Sequence, residues 1–238
     1  IGTVYSNGNI DGNNSGTLID GDAYAVTTIS APRPTVTGSK NEGAAPQDLP
    51  SVDVDYWKAR ANINNDPYIG DLEISGPSNT LGPRKIQGNL TIRSSAKLTA
   101  TGPIHVTGNL SLRSNADLHI AESFVASSTV VLIEGIVDFG SNTEVHATTA
   151  LPKGYLLLLS TSTSTLAISV NSNQFIEGAL YAPDGTVEIN SNADILSIAG
   201  YRVHLGSNAD ITYDFGLRDV DFTGGASTGA EILNWREQ

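Results

Sequence analysis

Cysteine is absent from the 238 residues, so neither a disulfide framework nor a thiolate metal site contributes to this fold. Aromatic side chains make up only 6% of the chain, which leaves the interior to aliphatic residues and alanine. Basic residues are scarce: 13 Lys and Arg stand against 25 Asp and Glu, a formal net charge of -12. Such a surface repels phosphate backbones and anionic lipid headgroups, which argues against nucleic acid or peripheral membrane partners. Long hydrophobic runs are missing too. The longest, Leu156-Leu157-Leu158-Leu159, falls far short of the roughly 18 residues of a membrane span and suits one buried strand. Methionine is also absent, although translation begins with it. The expectation is a processed, exported product from which a signal peptide or hydrophobic anchor has been removed.

What the chain does have is repetition. Ser-Asn-Ala-Asp occurs at Ser114 to Asp117, Ser191 to Asp194 and Ser207 to Asp210, with weaker copies at Ser78, Ser94, Ser141 and Ser172. Successive starts at 78, 94, 114, 141, 172, 191 and 207 are spaced by 16, 20, 27, 31, 19 and 16 residues. The flanks repeat as well: Gly88-Asn89-Leu90-Thr91-Ile92-Arg93 is echoed by Gly108-Asn109-Leu110-Ser111-Leu112-Arg113. Aliphatic pairs such as Leu90/Ile92, Leu110/Leu112, Val187/Ile189 and Val203/Leu205 alternate with polar or small residues, the period of a strand with one buried face. Each unit therefore reads as strand, Asn-bearing turn, strand. One unit cannot bury its apolar face, but stacked units close a continuous core.

This pattern predicts an all-β fold, a single-stranded right-handed parallel β-helix, with one short helix near residues 51–62. Antiparallel hairpins in a sandwich would also alternate, but their turns prefer Asn-Gly or Asp-Gly. A left-handed hexapeptide helix would show a tighter period. Variable coil length suits the right-handed form, whose loops grow on one side. The recurring asparagines Asn79, Asn115, Asn142, Asn173, Asn192 and Asn208 are expected to stack at one corner. Asn tolerates the left-handed backbone of a sharp turn, and its amide can both donate to and accept from the next coil's Asn.

The whole chain, 1–238, reads as one solenoid domain: residues 1–29 as first coils, 30–50 as a Pro/Gly-rich loop, 51–62 as the helix, 63–217 as the main coils and 218–238 as a C-terminal capping tail. Ser51 is the expected helix cap, Asp53 and Asp55 suit its N-terminal end, and Lys58 and Arg60 its C-terminal end. Tyr56 and Trp57 are expected to dock it on the solenoid wall. Ile232 to Trp235 are expected to cover the last coil, whose strand edges would otherwise lie bare.

Gly178-Ala179-Leu180-Tyr181-Ala182-Pro183-Asp184-Gly185-Thr186-Val187, the following Ser-Asn-Ala-Asp, the earlier Asp55-Tyr56-Trp57-Lys58 and the closing Asn234-Trp235-Arg236-Glu237 come in an order that resembles a bacterial group. These are the PilX-like, type IV pilus-associated surface proteins, with a prepilin-type hydrophobic helix followed by a Ser/Asn-rich β-helical domain. The hydrophobic helix has no counterpart here. The resemblance implies a cell-surface location and a β-helical architecture, and it brings no catalytic residues.

Chemistry is sparsely signalled. Asp117, Glu144, Asp194 and Asp210 occupy the same place in successive turns, where they read as solvated turn residues, and Lys97 holds that place in another copy. The nonapeptide of calcium β-rolls is missing, and no G-x-S-x-G elbow or phosphate loop occurs. His105, His119, His146 and His204 show no short ligand spacing. The expectation is thus no enzyme, no cofactor and no metal, but an extracellular structural subunit of a pilus-like filament or its tip, self-associating end to end. The alternatives are an adhesin for a glycan or host-surface ligand using Tyr181, Tyr201 and Tyr213, and a lyase-like or hydrolase-like β-helix acting on polysaccharide through Asp194 or Asp210.

Overall fold

The computed structural model describes residues 4–12, 18–32, 34–49, 51–211 and 222. Its main body is a parallel β-helix whose strands form one 16-stranded sheet wound into three walls. The first wall stacks Tyr68–Ile69, Arg84–Gln87, Ile104–Val106, Thr129–Ile133 and Leu156–Ser160, then residues 178–181. The second stacks Leu72–Ile74, Leu90–Ile92, Leu110–Leu112 and Val137–Phe139, then residues 168–170. The third stacks Asn79–Leu81, Lys97–Ala100, Asp117–Ile120 and Glu144–His146, then residues 175–176. Beyond Ile168 the coils follow one another as one continuous strand as far as Ser207, turning at the left-handed Asn173 and Asn192.

Alternation builds the core. Leu90 and Ile92, Leu98 and Ala100, Ile104 and Val106 point inward in one coil, and their counterparts lie directly over them in the next. All are essentially inaccessible. At roughly 25 cal/mol per Å² of apolar surface, each leucine, isoleucine or valine among them contributes about 1.5–3 kcal/mol.

The first wall breaks the alternation. Thr129–Ile133 and Leu156–Ser160 are buried on both faces, as continuous apolar strands should be. Their outer face, with Val130, Leu132, Leu157 and Leu159, is covered by Leu49, Val52, Val54 and Trp57. The helix spans Val54–Ala61 and is shorter than expected, because Asp53 is the cap in place of Ser51: its carboxylate accepts from the Tyr56 N–H at 2.9 Å. The Trp57 indole N–H donates to the Phe222 carbonyl at 2.8 Å. Tyr56 stands exposed, so docking falls to Trp57.

The N-terminal coils lie where sequence order would not put them. Asp11 and Gly12 pair in parallel with His204 and Leu205, so the described N-terminal coils stack on the far end of the β-helix, beyond the last main coil. They form further short strands, Val4–Ser6, Leu18–Ile19, Ala23–Ala25, Thr35–Val36 and Lys40–Glu42, around a core of Ile10, Ile19, Ala23, Ala25 and Ile29. Residues 30–50, expected as a loop, thus supply two strands before the chain returns along the first wall to the helix. Last-coil strand Asp210–Ile211 abuts Leu18–Ile19. The expected covering tail, residues 218–238, lies outside the described residues except for Phe222. No described helix is long and apolar enough to cross a membrane.

Candidate functional site on the third wall

The corner between second and third walls carries the repeated tetrapeptides. Asn115, Asn142, Asn173, Asn192 and Asn208 all have φ between 49° and 61°, the left-handed region that Asn tolerates. From Asn142 onward each Nδ2 donates to the Oδ1 of the preceding asparagine, at 3.3, 3.0, 3.2 and 2.9 Å along the column. Asn79 does not join it. That residue lies in a strand opposite Leu98 and donates to the Ser75, Gly76 and Lys97 carbonyls. Gly76, at φ 86°, and then Ser95, at φ 60°, hold the corner in the first two coils, because the first turn is displaced relative to its Ser-Asn copy.

A second ladder runs along the corner between first and second walls. Asp71 Oδ1 accepts from the Asn89 N–H, Asn89 Oδ1 from the Asn109 N–H, and Asn109 Oδ1 from the Ile136 N–H, at 2.8, 2.8 and 2.9 Å. Hydrogen bonds from Asn89 hold the Asp71 carboxyl below its usual range. The same device recurs in the N-terminal coils, where Asp22 accepts from the Ser39 N–H at 2.7 Å. The sequence signal was the repeated Gly-Asn pair.

The register fixed by these corners lines up side chains on the outside of the third wall. Lys97 lies beside Asp117, Asp117 beside Glu144 and Glu144 beside Phe175. One step along the strands His119 lies beside His146, their rings stacked at 4.3 Å between centroids. His146 Nε2 is 2.8 Å from Glu144 Oε2, and its Nδ1 is 3.9 Å from Glu177 Oε2. Lys153 holds Glu177 at 2.7 Å. Asp117, Glu144 and His146 bring one donor atom each within 4.8 Å of one another. Burial, then the neighbouring His146 and Lys97, push the His119 pKa down to about 4. Further along, Asp194 pairs with Asp210, and burial, Asp210 and Glu177 together raise the Asp194 pKa.

Sequence spacing missed the two stacked histidines because they are 27 residues apart. Their phase was nonetheless readable: Asp117-Leu118-His119 and Glu144-Val145-His146 each follow a Ser-Asn corner at the same offset. His105 lies instead on the first wall, 3% exposed, with Nε2 3.0 Å from Glu134 Oε1, a carboxylate that Lys58 of the helix also reaches at 2.7 Å. His204 Nδ1 lies 3.8 Å from Glu188 Oε1 on the second wall. Of the three tyrosines weighed for glycan contact, Tyr181 is 3% exposed and Tyr201 63%, while Tyr213 lies outside the described residues.

The other distinctive surface is the first coil. Among the described residues its strands Tyr68–Ile69, Leu72–Ile74 and Asn79–Leu81 are each paired on one side, and Ile69 is 70% exposed. A hollow of about 390 Å³ opens there, lined by Tyr68, Leu72, Ile74, Leu81 and Pro83 among others. No curated protein and no solved structure matches the chain. Residues 37–220 match the model of a family described as a domain of unknown function, DUF7305.

Proposed function

The chain belongs to the DUF7305 family, and from that premise we propose that it is an extracellular structural protein of the bacterial surface, a rigid solenoid subunit of a pilus-like filament or of its tip, joined end to end. The observation that carries this reading is pairing out of sequence order. Residues 11 and 12 lie on residues 204 and 205 in parallel register, although the intervening chain is the whole body of the solenoid. A coil edge of this protein accepts a coil that is not its neighbour along the chain. Among the described residues the first coil offers another such edge, with a hollow beside it lined by both apolar and polar residues, Leu72, Ile74 and Leu81 with Thr80, Arg84 and Thr101. Unpaired N–H and C=O groups over an apolar core are a template for a further strand. A head-to-tail contact of this kind does not close on itself and so propagates as a fibre.

The motif order shared with PilX-like surface proteins supports the same location, and the net charge of -12 suits a solvated, non-membrane surface. A glycan-binding role draws less support, since Tyr181 is buried within the apolar cluster on the outside of the first wall. Sedimentation velocity and negative-stain microscopy across a concentration series test the proposal. The intact chain is expected to form end-joined rods that grow with concentration, and the double variant Ile69→Lys/Leu72→Lys to remain single. A chain that stays monomeric throughout, with no fibre labelled by its antibody on source cells, overturns it.

A further inference from the structure

We propose that Asp117, Glu144 and His146 form a site for one divalent transition-metal ion of the zinc type, bridging two neighbouring coils on the outside of the third wall. The three donor atoms already lie within 4.8 Å of one another. Ligands on a common tetrahedral ion at about 2.0–2.2 Å stand about 3.4 Å apart, so the Glu144–His146 pair, now 2.8 Å, opens slightly to admit the ion between them. Asp117 comes from one coil and faces Glu144 in the next, while Glu144 and His146, two residues apart on one strand, share its outer face. The backbone ladder therefore fixes the donor spacing.

A separate observation concerns the second nitrogen of the ring. An imidazole that ligates a metal through one nitrogen usually turns the other toward a carboxylate, which fixes the tautomer. His146 directs Nε2 toward Glu144 and Nδ1 toward Glu177, 3.9 Å away, and Lys153 anchors Glu177 at 2.7 Å. His119, stacked on His146, and Phe175, 6.0 Å from it between centroids, hold the ring from two sides. A plain ion pair between His146 and Glu144 would need neither Asp117 nor Glu177.

The donor set selects the ion. One imidazole nitrogen with two carboxylates suits zinc and its first-row neighbours, whereas calcium takes six to eight oxygens. Three protein donors leave at least one coordination position toward solvent, for water or a carboxylate of another molecule. The site stands independently of filament assembly, because it lies on the side of the rod.

Isothermal titration of the EDTA-treated full chain with zinc chloride at pH 7.5, repeated with calcium chloride, tests the assignment. One zinc per chain is expected, with affinity reduced at least tenfold in His146→Ala and in Asp117→Asn, and unchanged in the distant Glu188→Gln/His204→Ala variant. Circular dichroism checks that each variant is folded; if His146→Ala is not, Asp117→Asn decides. A cobalt-substituted sample should show visible d–d absorption that disappears with the same variants. Absence of saturable zinc binding, zinc affinity indifferent to Asp117→Asn, or calcium bound as tightly as zinc overturns it.

Discussion

At the corner between second and third walls a single side chain does two jobs, and substitution can separate them. Asn142 has φ 55° and both gives and receives a ladder hydrogen bond. Asn142→Gly removes the bonds but keeps the backbone at ease, so a loss of about 1 kcal/mol is expected. Asn142→Ala adds the left-handed penalty of about 1–2 kcal/mol. Urea unfolding should rank wild type above Gly above Ala; equal variants would mean that the backbone conformation does not matter there. The opposite corner is steric. A Cβ on Gly108 would sit 2.7 Å from the Gly88 carbonyl oxygen and overlap Asn89 Oδ1. Gly108→Ala is therefore expected to cost about 1–3 kcal/mol, the range for overpacking, seen as a lower thermal midpoint.

His105 makes a pH-dependent contribution. Burial, the largest influence, lowers its pKa; Glu134 acts oppositely, while Lys58 and Lys85 add to the lowering. The unfolded chain therefore binds a proton here more readily than the native state. The stability associated with a neutral His105 is complete above about pH 6.5 and is lost as pH falls through the folded value. The slope of unfolding free energy against pH between 7 and 5.5 should be shallower in His105→Gln than in wild type.

Among the elements, the helix and the strap before it carry a distinct burden: they cover a wall that is apolar outside as well as inside. Trp57 is their anchor, packing on the first wall and hydrogen-bonding the Phe222 carbonyl. Trp57→Ala is expected to cost about 2 kcal/mol, below the 3–5 kcal/mol of a fully buried aromatic because the indole is only partly enclosed. Limited proteolysis should then cut within residues 43–53 faster than in wild type, while the main coils stay protected. An unchanged digestion rate would show that the strap is held by other contacts.

Strand positions were legible in the sequence because alternation and the left-handed preference of Asn are local properties. Leu90, Leu110 and Val137 could be aligned from their place after a Gly-containing corner, and they share one wall. Asn79 was misassigned because a Ser-Asn pair looked like the corner when Gly76 was making it. The carboxylate row Asp117–Glu144 was readable from the repeat, but the pairing of His119 with His146 required the register, not a fixed spacing. The cap at Asp53 was missed for Ser51, two residues of uncertainty that caps commonly carry.

For the molecule as a whole, stacking order was the part hidden from sequence. Periodicity says that residues 1–29 resemble coils, but any coil edge of matching width satisfies that pattern. Docking on residues 204–205 covers Leu205 and Ala209, which the last main coil would otherwise expose. A chain lacking residues 1–43 and carrying Ile69→Lys/Leu72→Lys is expected to self-associate through the bared edge where the full-length double variant stays single, read as increased mass by light scattering on a sizing column. If that truncated chain stays monomeric and as stable as the intact one, the N-terminal coils do not protect that end.

The out-of-order docking also sets a timetable. During synthesis the N-terminal coils emerge before the main body, yet the edge that Asp11 and Gly12 pair with, at His204 and Leu205, is made only after most of that body has followed. Local coils can wind as they appear, whereas this closure brings together residues 11 and 204 and must wait. Docking the N-terminal coils on residues 204–205 therefore comes late in folding, and until then the newborn rod is unsealed at that edge.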